Sequence, residues 1–364
     1  MSENLPSRRL DYIDISKGIG ILLVIIGHIS YTPESIDIYL SAFHMPLFFF
    51  LAGVTYNNQK YQSFTYLFGQ KIKAILIPYF IFSMIMVFWL TTRDFASAIY
   101  YNTLQMTGGG GGIILRFFRN LLAVVIQIRR TQLGIGVWFL PCIFLNFLML
   151  NLILKVSNKK IITLIISIMC FTVGYFYSKF LHDYPLPWGL DAAFCSILFM
   201  TLGTLIENNL EKILRDFSKF ILPISFMLLT LFAWLNYKYT GSGCGMWSSI
   251  YGNYLFYLIG ALSGIAFTLS FSFMLKHGLL SEIGRRSIYY YGLHVILIQI
   301  FSAIVSKVFV NYLQNIYFQV LMTVIITALI IVILWPFYKV YNKLVVWLQS
   351  KITNFTERKT CEQK

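Results

Sequence analysis

The sequence predicts an all-α, polytopic integral membrane protein, a bundle of about ten transmembrane helices with both termini in the cytoplasm. Of its 364 residues, 58% are hydrophobic and only 12% are charged, against roughly 25% charged residues in a soluble domain. The mean hydropathy is +0.71. So few charged side chains cannot cover a water-soluble globule of this size, which excludes a soluble enzyme and a disordered chain.

Long apolar runs predict the individual spans, because crossing a bilayer takes roughly 20 apolar residues. The runs lie near residues 18–32, 38–56, 74–92, 134–154, 160–180, 189–206, 218–237, 251–275, 287–309 and 316–338. The first run is short, so its helix is expected to start within Asp11–Lys17, as a retained first helix and not a signal peptide. We expect a membrane domain over residues 1–345 and a cytoplasmic tail over residues 346–364.

The positions of the 29 basic residues explain the net charge of +15. With a cytoplasmic N-terminus, most of them fall in the inner segments, as the positive-inside rule requires. Arg116 and Arg119 interrupt residues 113–128, which we interpret as an interfacial or re-entrant helix on the outer side. Because the charge follows the ends of the spans, nucleic-acid binding is excluded. Membrane lipid is an expected partner, and the inner or plasma membrane is the expected location.

The first span carries a cation and an imidazole. Lys17 and His28 are eleven residues apart, which is about 16 Å of helix rise and places both on one helix face. Asp14 is close enough to pair with Lys17. Imidazole accepts a proton near neutral pH, and an ionisable residue within a span is a functional candidate. The alternatives are that Lys17 reaches lipid headgroups and that His28 caps the helix.

A second histidine, His44, opens the second span beside Pro46, a residue that suits the first turn of a helix. His44 is expected near His28 if the first two helices form a hairpin across residues 31–37. Glu34 and Asp37 lie in that connection, and either carboxylate could orient an imidazole. The alternative is that His44 is an interfacial residue at the helix start.

Four further residues are candidates. Lys71 and Lys73 either anchor the third span or meet an anionic cofactor at the inner face. Asp191 begins the sixth span as an outer cap or a substrate contact, and His294 lies within the ninth span as a substrate contact or a hydrogen bond between helices. No histidine or cysteine pair has metal-site spacing, so no metal is expected.

Several short motifs, in this order, resemble those of acyltransferase family 3, whose members are membrane proteins that O-acylate envelope carbohydrates. The likeness is closest to the shorter, fucose 4-O-acetylase-like members. The first motif consists of a basic residue, ten further residues and then His. Here Lys17 takes the place of the commoner Arg. The motifs are Lys17 to His28, His44 to Gly53, Ile77 to Tyr79, Trp138 to Leu140, and Gly284 to Ser287 with His294.

The resemblance implies a donor, an acceptor and a base. The donor would be a cytoplasmic acyl-CoA, most often acetyl-CoA, and the acceptor a hydroxyl of an envelope or surface carbohydrate, so that the activity would be polysaccharide modification by O-acetylation. His28 would act as general base, assisted by His44 or by a carboxylate such as Glu34. The donor phosphates would meet Lys17, Lys71 and Lys73. Many relatives have arginines near the last two positions, and Lys lacks the bidentate fork of Arg.

Two other functions compete with acyl transfer. Ten spans also suit a transporter or flippase for a glycan or a lipid-linked sugar. A non-catalytic partner in an envelope assembly is the second alternative, although such a protein has no need of Lys17 and His28 on one helix face. The acceptor, the acyl group and homo-oligomerisation are left open by the sequence.

Overall fold

The structure of the protein is a computed structural model, which describes residues 11–61, 63–100, 109–128, 131–157, 159–241 and 243–362. This part of the chain folds into helices without a β-strand; Gly245 and Ile250 form an isolated bridge. The α-helices are α1 (Asp11–His28), α2 (Glu34–Val54), α3 (Phe64–Lys71), α4 (Ile77–Tyr100), α5 (Gly109–Ile126), α6 (Gln132–Val137), α7 (Phe139–Val156), α8 (Lys160–Phe180), α9 (Leu190–Thr240), α10 (Tyr254–Met274), α11 (Leu279–Arg285), α12 (Ser287–Val308) and α13 (Ile316–Glu362).

Eight helical segments among the described residues are long and apolar enough to cross a membrane. A helix satisfies its own backbone hydrogen bonds, which is why a chain this apolar folds as helices. The predicted all-α polytopic membrane bundle is therefore confirmed. The segments are Glu34–Val54, Phe64–Tyr100, Phe139–Val156, Lys160–Phe180, Pro187–Thr240, Tyr254–Met274, Ser287–Val308 and Ile316–Lys351.

Two differences separate these eight segments from the ten predicted spans. The 18 residues of α1 include Asp11, Asp14 and Lys17, so α1 is less apolar than the eight. The predicted spans 189–206 and 218–237 both lie in α9, a helix of 51 residues.

Near the C-terminal end of the chain, α13 continues without a break across residue 345, the predicted boundary between the membrane domain and the cytoplasmic tail. The sides on which the termini lie stay predictions.

α9 bends between its contacts with α2. A Cβ at Gly203 would overlap the carbonyl oxygen of Phe50, and the Tyr237 hydroxyl donates to Glu34 at 3.2 Å. If both helices were straight, Gly203 and Tyr237 would lie about 51 Å apart along α9, whereas their partners Phe50 and Glu34 would lie only about 24 Å apart along α2. Side-chain reach does not cover that difference. Pro223 lies inside α9, and proline is the usual cause of a helix kink.

The helices form two compact units. The first consists of Met1–Tyr56, Phe199–Met246 and Ile250–Ser287, and the second of Asn57–Leu198, Trp247–Ser249 and Ile288–Lys364. α1, α2, α10 and α11 therefore belong to the first unit, whereas α4 to α8 and α13 belong to the second. α9 begins in the second unit and continues in the first.

Glycines in the first unit allow α1 and α11 to approach until their backbones touch. A Cβ at Gly284 of α11 would overlap the carbonyl oxygen of Asp14, and a Cβ at Gly18 of α1 would overlap that of Leu280. In the same unit α1 also contacts α2 and α10. Small residues permit such close packing between membrane helices, so α1 packs backbone to backbone against α11 at Asp14 and Gly18.

The segment with Arg116 and Arg119 forms α5 in the second unit. The glycines from Gly109 onward belong to this helix. Arg116 lies 3.7 Å from the Asp94 carboxylate of α4, which partly compensates its charge. The interfacial or re-entrant placement of residues 113–128 stays a prediction.

Candidate functional site

α1 holds Lys17 and His28 on one face. The helix runs without interruption from Asp11, the first described residue, to His28, and Lys17 and His28 are about 16 Å apart along it. Both side chains are half-buried. Nζ of Lys17 lies 4.0 Å from Oδ1 of Asp14, which confirms the predicted pair.

The His28 ring is oriented by its own helix. Nδ1 lies 2.8 Å from the carbonyl oxygen of Val24. A carbonyl oxygen can only accept a hydrogen bond, so Nδ1 carries the proton and donates it. In the neutral ring Nε2 then holds the basic lone pair. His28 therefore has the tautomer that a general base requires.

His44 has the same arrangement on α2. Nδ1 donates to the carbonyl oxygen of Leu40 at 2.6 Å, and His28 is close enough to interact electrostatically. The prediction that His44 and Pro46 open the helix is wrong, because α2 begins at Glu34 and includes Pro46 in its interior. His44 is therefore a mid-helix residue, and the hairpin places it near His28.

Asp37 is the carboxylate that lies beside α1. Both Glu34 and Asp37 are in the first turn of α2 and not in the preceding loop. Glu34 is exposed and accepts a hydrogen bond from Tyr237. Asp37 is half-buried, and its Oδ1 lies 3.6 Å from the position of a Cβ on Gly27, the residue before His28. Glu34 is ten residues from His44, about 15 Å along α2.

The loop between α9 and α10 also lies close to the Asp37 carboxylate. Oδ2 of Asp37 lies 4.0 Å from the position of a Cβ on Gly243. The neighbouring Cys244 is 7% exposed, and this burial raises the pKa of its thiol to about 12. The thiol is protonated at neutral pH, and since the thiolate is the nucleophilic form, Cys244 is not suited to form an acyl-enzyme.

Arg285 ties α11 to the acidic start of α1, near Lys17. The contacts of its guanidinium are Glu282 at 2.6 Å, His277 at 2.9 Å, Asp14 at 3.2 Å and Asp11 at 3.7 Å. The sequence marks Gly284 to Ser287 as a motif but assigns Arg285 no role. Arg285 and Asp14 are 271 residues apart, so no local pattern could have revealed the pair.

Lys71 and Lys73 lie at a π-helix, Ile72–Leu76, in the second unit. π-Helices occur often at functional sites. Nζ of Lys71 lies 3.4 Å from the ring centroid of Phe147 and 5.0 Å from that of Tyr61. Within the described residues no carboxylate is within ion-pair distance of this cation. At Lys73, the backbone carbonyl accepts a hydrogen bond from Gln349 at 3.0 Å.

Asp191 and His294 are buried in the second unit. Asp191, the second residue of α9, is 3% exposed and accepts a hydrogen bond from Ser249 at 3.3 Å. His294 is 0% exposed, and its Nδ1 donates to the carbonyl oxygen of Tyr291 in its own helix at 2.7 Å. In the first unit, by contrast, His28 lies near His44, and Asp37 lies beside Gly27, the residue before His28.

Comparison with known proteins gives the family. The family model described as an acyltransferase domain, that of acyltransferase family 3, matches residues 10–335. The chain belongs to acyltransferase family 3. As a family 3 acyltransferase with multiple membrane-crossing helices, it is a multi-pass membrane enzyme that transfers acyl groups. No characterised protein and no solved structure matches it.

The short motifs found in the sequence of this family 3 acyltransferase lie in both units. The Lys17 to His28 and Gly284 to Ser287 motifs meet where α1 touches α11. The Trp138 to Leu140 motif lies at the break between α6 and α7, where the Tyr291 hydroxyl accepts from the Phe139 amide at 3.1 Å. In the described ranges, no group of three or more His, Cys, Asp or Glu side chains is placed to hold a metal ion.

Proposed function

We propose that this acyltransferase moves an acyl group, acetyl in the simplest case, from a cytoplasmic acyl-CoA to a hydroxyl of an envelope carbohydrate, with His28 as general base. The observation that carries the proposal is the hydrogen bond from Nδ1 of His28 to Val24, which leaves the basic lone pair on Nε2. The family supplies acyl transfer, and this tautomer supplies a base suited to it. The inner or plasma membrane is the proposed location, with both termini cytoplasmic.

The proposed reaction is a direct transfer. Nε2 of His28 takes the proton of the acceptor hydroxyl as its oxygen attacks the thioester carbonyl of the donor. The carbon–sulfur bond breaks, CoA leaves as a thiolate, and the imidazolium returns the proton to that sulfur. The ester is formed, the thiol is released, and His28 ends in its starting state. General base catalysis contributes about 10²–10⁴-fold to such a step.

His44 and Asp37 would support this base through charge. Each imidazole is already oriented through Nδ1 by a backbone carbonyl, so Asp37 is not needed to hold the ring. A carboxylate next to Gly27 instead favours the imidazolium that forms on His28. Asp37 therefore takes the assisting role that the resemblance leaves to Glu34.

Asp37→Asn is expected to lower the turnover number by about tenfold, because a nearby opposite charge shifts a protonation equilibrium by at least about one pKa unit. Glu34→Gln, three residues earlier and exposed, is the matched control and should retain nearly full activity. Acetyl transfer by membranes with equal amounts of each variant measures both. A larger loss in Glu34→Gln than in Asp37→Asn would contradict this assignment.

Lys17 and Lys71 are the proposed contacts of the donor phosphates. Lys17 stands about 16 Å from His28, a length comparable to the pantetheine arm of CoA. The evidence for Lys71 is independent: its half-buried ammonium lies against aromatic rings and has no acidic partner among the described residues. An aromatic face compensates a buried charge less fully than a phosphate would. Lys73, in the π-helix that follows Lys71, is the third proposed contact.

Lys71→Met is expected to raise the KM for acetyl-CoA by about tenfold, since a hydrogen bond to a charged group contributes about 1.5–3 kcal/mol. The turnover number should change little. Lys160→Met, which removes an exposed lysine at the start of α8, is the control for a general loss of positive charge. An unchanged KM in Lys71→Met would exclude Lys71 from donor binding.

Radiolabelled acetyl-CoA tests the proposed function directly. Membranes that contain the protein should transfer the label to an envelope glycan, and membranes without it should not. A transporter or flippase would move the glycan without incorporating the label, which separates the two functions. Mass spectrometry of envelope glycans from a deletion strain would identify the acceptor, which is expected to lose an ester-linked acyl group.

A further inference from the structure

Backbone strain in the second unit is concentrated at one place. Three non-glycine residues in the described ranges have a positive φ: Gln127 at 46°, Trp188 at 59° and Ser249 at 54°. The Trp188 amide donates to the carbonyl oxygen of Gln127 at 2.8 Å. Ser249 donates to Asp191, three residues after Trp188. Gln127, Trp188, Asp191 and Ser249 thus form one cluster, here named the Gln127 cluster, and such strain is found mostly at functional sites.

The side chain of Gln127 provides a second, independent observation. It is 1% exposed, and among the described residues neither its Nε2 nor its Oε1 has a hydrogen-bond partner. Most buried polar side-chain atoms in proteins are hydrogen-bonded, because an unpartnered one is costly. The backbone of Gln127 thus takes part in the fold, with its amide donating to Ala123 at 2.8 Å, whereas its side-chain amide makes no hydrogen bond to the described residues.

We propose that the Gln127 cluster is a subsite for a sugar ring of the carbohydrate acceptor, with Gln127 as the residue that binds its hydroxyls. This inference rests on the proposed function and extends it to Gln127, Trp188 and Ser249, which the sequence did not single out and which lie with Asp191, a candidate substrate contact from the sequence. An amide both donates and accepts, which matches two neighbouring hydroxyls of a pyranose. The Asp191 carboxylate accepts a further hydroxyl and disfavours anionic ligands.

Trp188 fits the same ligand. Its indole is half-buried, and its Nε1 donates to the carbonyl oxygen of Val125 at 2.9 Å. The ring is therefore fixed in orientation, and it also contacts the ring of Phe144, with 6.1 Å between the centroids. A fixed aromatic face beside buried hydrogen-bonding groups suits a sugar, which has an apolar C–H face and polar hydroxyls at its edge. The competing explanation is a buried water that bonds the Gln127 amide.

The chain offers a matched pair of variants for the test. Gln127→Leu and Asn236→Leu make the same kind of change, from a buried amide to an apolar side chain. Both amide atoms of Asn236 are used, since Nδ2 donates to Tyr251 at 2.9 Å and Oδ1 accepts from Asn253 at 2.7 Å. Asn236→Leu should therefore lower the unfolding temperature. Gln127→Leu should leave it unchanged or raise it, because an unpartnered group is removed.

Binding is measured on the purified full-length protein by saturation-transfer NMR. The probes are the methyl glycosides of glucose, galactose, mannose, rhamnose and N-acetylglucosamine. At least one is expected to bind the wild type, and Gln127→Leu should weaken that binding by about tenfold or more. Gln127→Gly removes the amide and also relieves the positive φ. It should fold at least as well as the wild type and lose binding equally, so it replaces Gln127→Leu if that variant does not fold.

Three results would overturn the inference. They are wild-type binding by the Gln127 variants, an unfolding temperature in Gln127→Leu that falls as in Asn236→Leu, and no binding of any probe to the wild type. The second result would indicate a structural amide bonded to water. Failure of the proposed function is distinguishable, because it would appear as no transfer of labelled acetyl by the wild type, whereas the inference can fail in a fully active enzyme.

Discussion

Replacing His28 with alanine is expected to lower acyl transfer by about 10²–10⁴-fold, the usual contribution of a general base. The variant loses the Nε2 lone pair that would accept the hydroxyl proton. It should still fold and insert, because His28 is the last residue of α1 and its Nδ1 hydrogen bond is made within that helix. Label transfer from acetyl-CoA in membranes with matched amounts of protein measures the effect.

Two further variants make the His28 result specific. His182→Ala removes a histidine from the loop after α8 and should retain activity. His28→Gln keeps a hydrogen-bonding side chain of similar length but provides no nitrogen that takes a proton near neutral pH, so it should be as inactive as His28→Ala. Activity near the wild-type level in either His28 variant would remove His28 from the role of base.

Gly284→Ala is expected to cause the largest loss of stability among single-methyl changes in the first unit. The new Cβ would overlap the carbonyl oxygen of Asp14, which is backbone and cannot rotate away. α11 must then move off α1, and the contact of Arg285 with Asp14 at 3.2 Å is stretched. Overpacking costs about 1–3 kcal/mol where side chains can adjust, and we expect the upper end of that range. Thermal unfolding of the purified protein gives the measurement.

Gly69→Ala is the matched control for Gly284→Ala. Gly69 lies in helix α3, and beyond its own helix backbone no atom of the described residues lies within 4 Å of the position of its Cβ. Alanine there should raise the stability by about 0.5–1 kcal/mol, since glycine is unfavourable inside a helix. If Gly284→Ala unfolded at the wild-type temperature, the close backbone contact between α1 and α11 would be disproved.

What could be predicted from the sequence is mainly local. Apolar runs and helical periodicity suffice for the membrane bundle, and the spacing of Lys17, Asp14 and His28 suffices for their placement on α1. Each depends on residues within a few turns of one helix, where geometry is regular. The family resemblance could likewise be found, because its motifs are short and contiguous.

What the sequence could not provide depends on tertiary packing. The choice between Glu34 and Asp37 depends on which one faces Gly27, a glycine on another helix. The role of Arg285 depends on a partner 271 residues away. Pro46 misled because proline favours the first turn of a helix, whereas surrounding helices in a membrane protein allow it in the interior.

The anchoring of both histidine rings through Nδ1 has a bioenergetic consequence. A proton that arrives at Nε2 cannot be passed through the ring and out on the opposite side while Nδ1 stays bonded to Val24 or Leu40. It has to leave from the nitrogen at which it entered. Neither ring can therefore relay a proton in this arrangement, so these two imidazoles contribute no step to proton conduction across the bilayer.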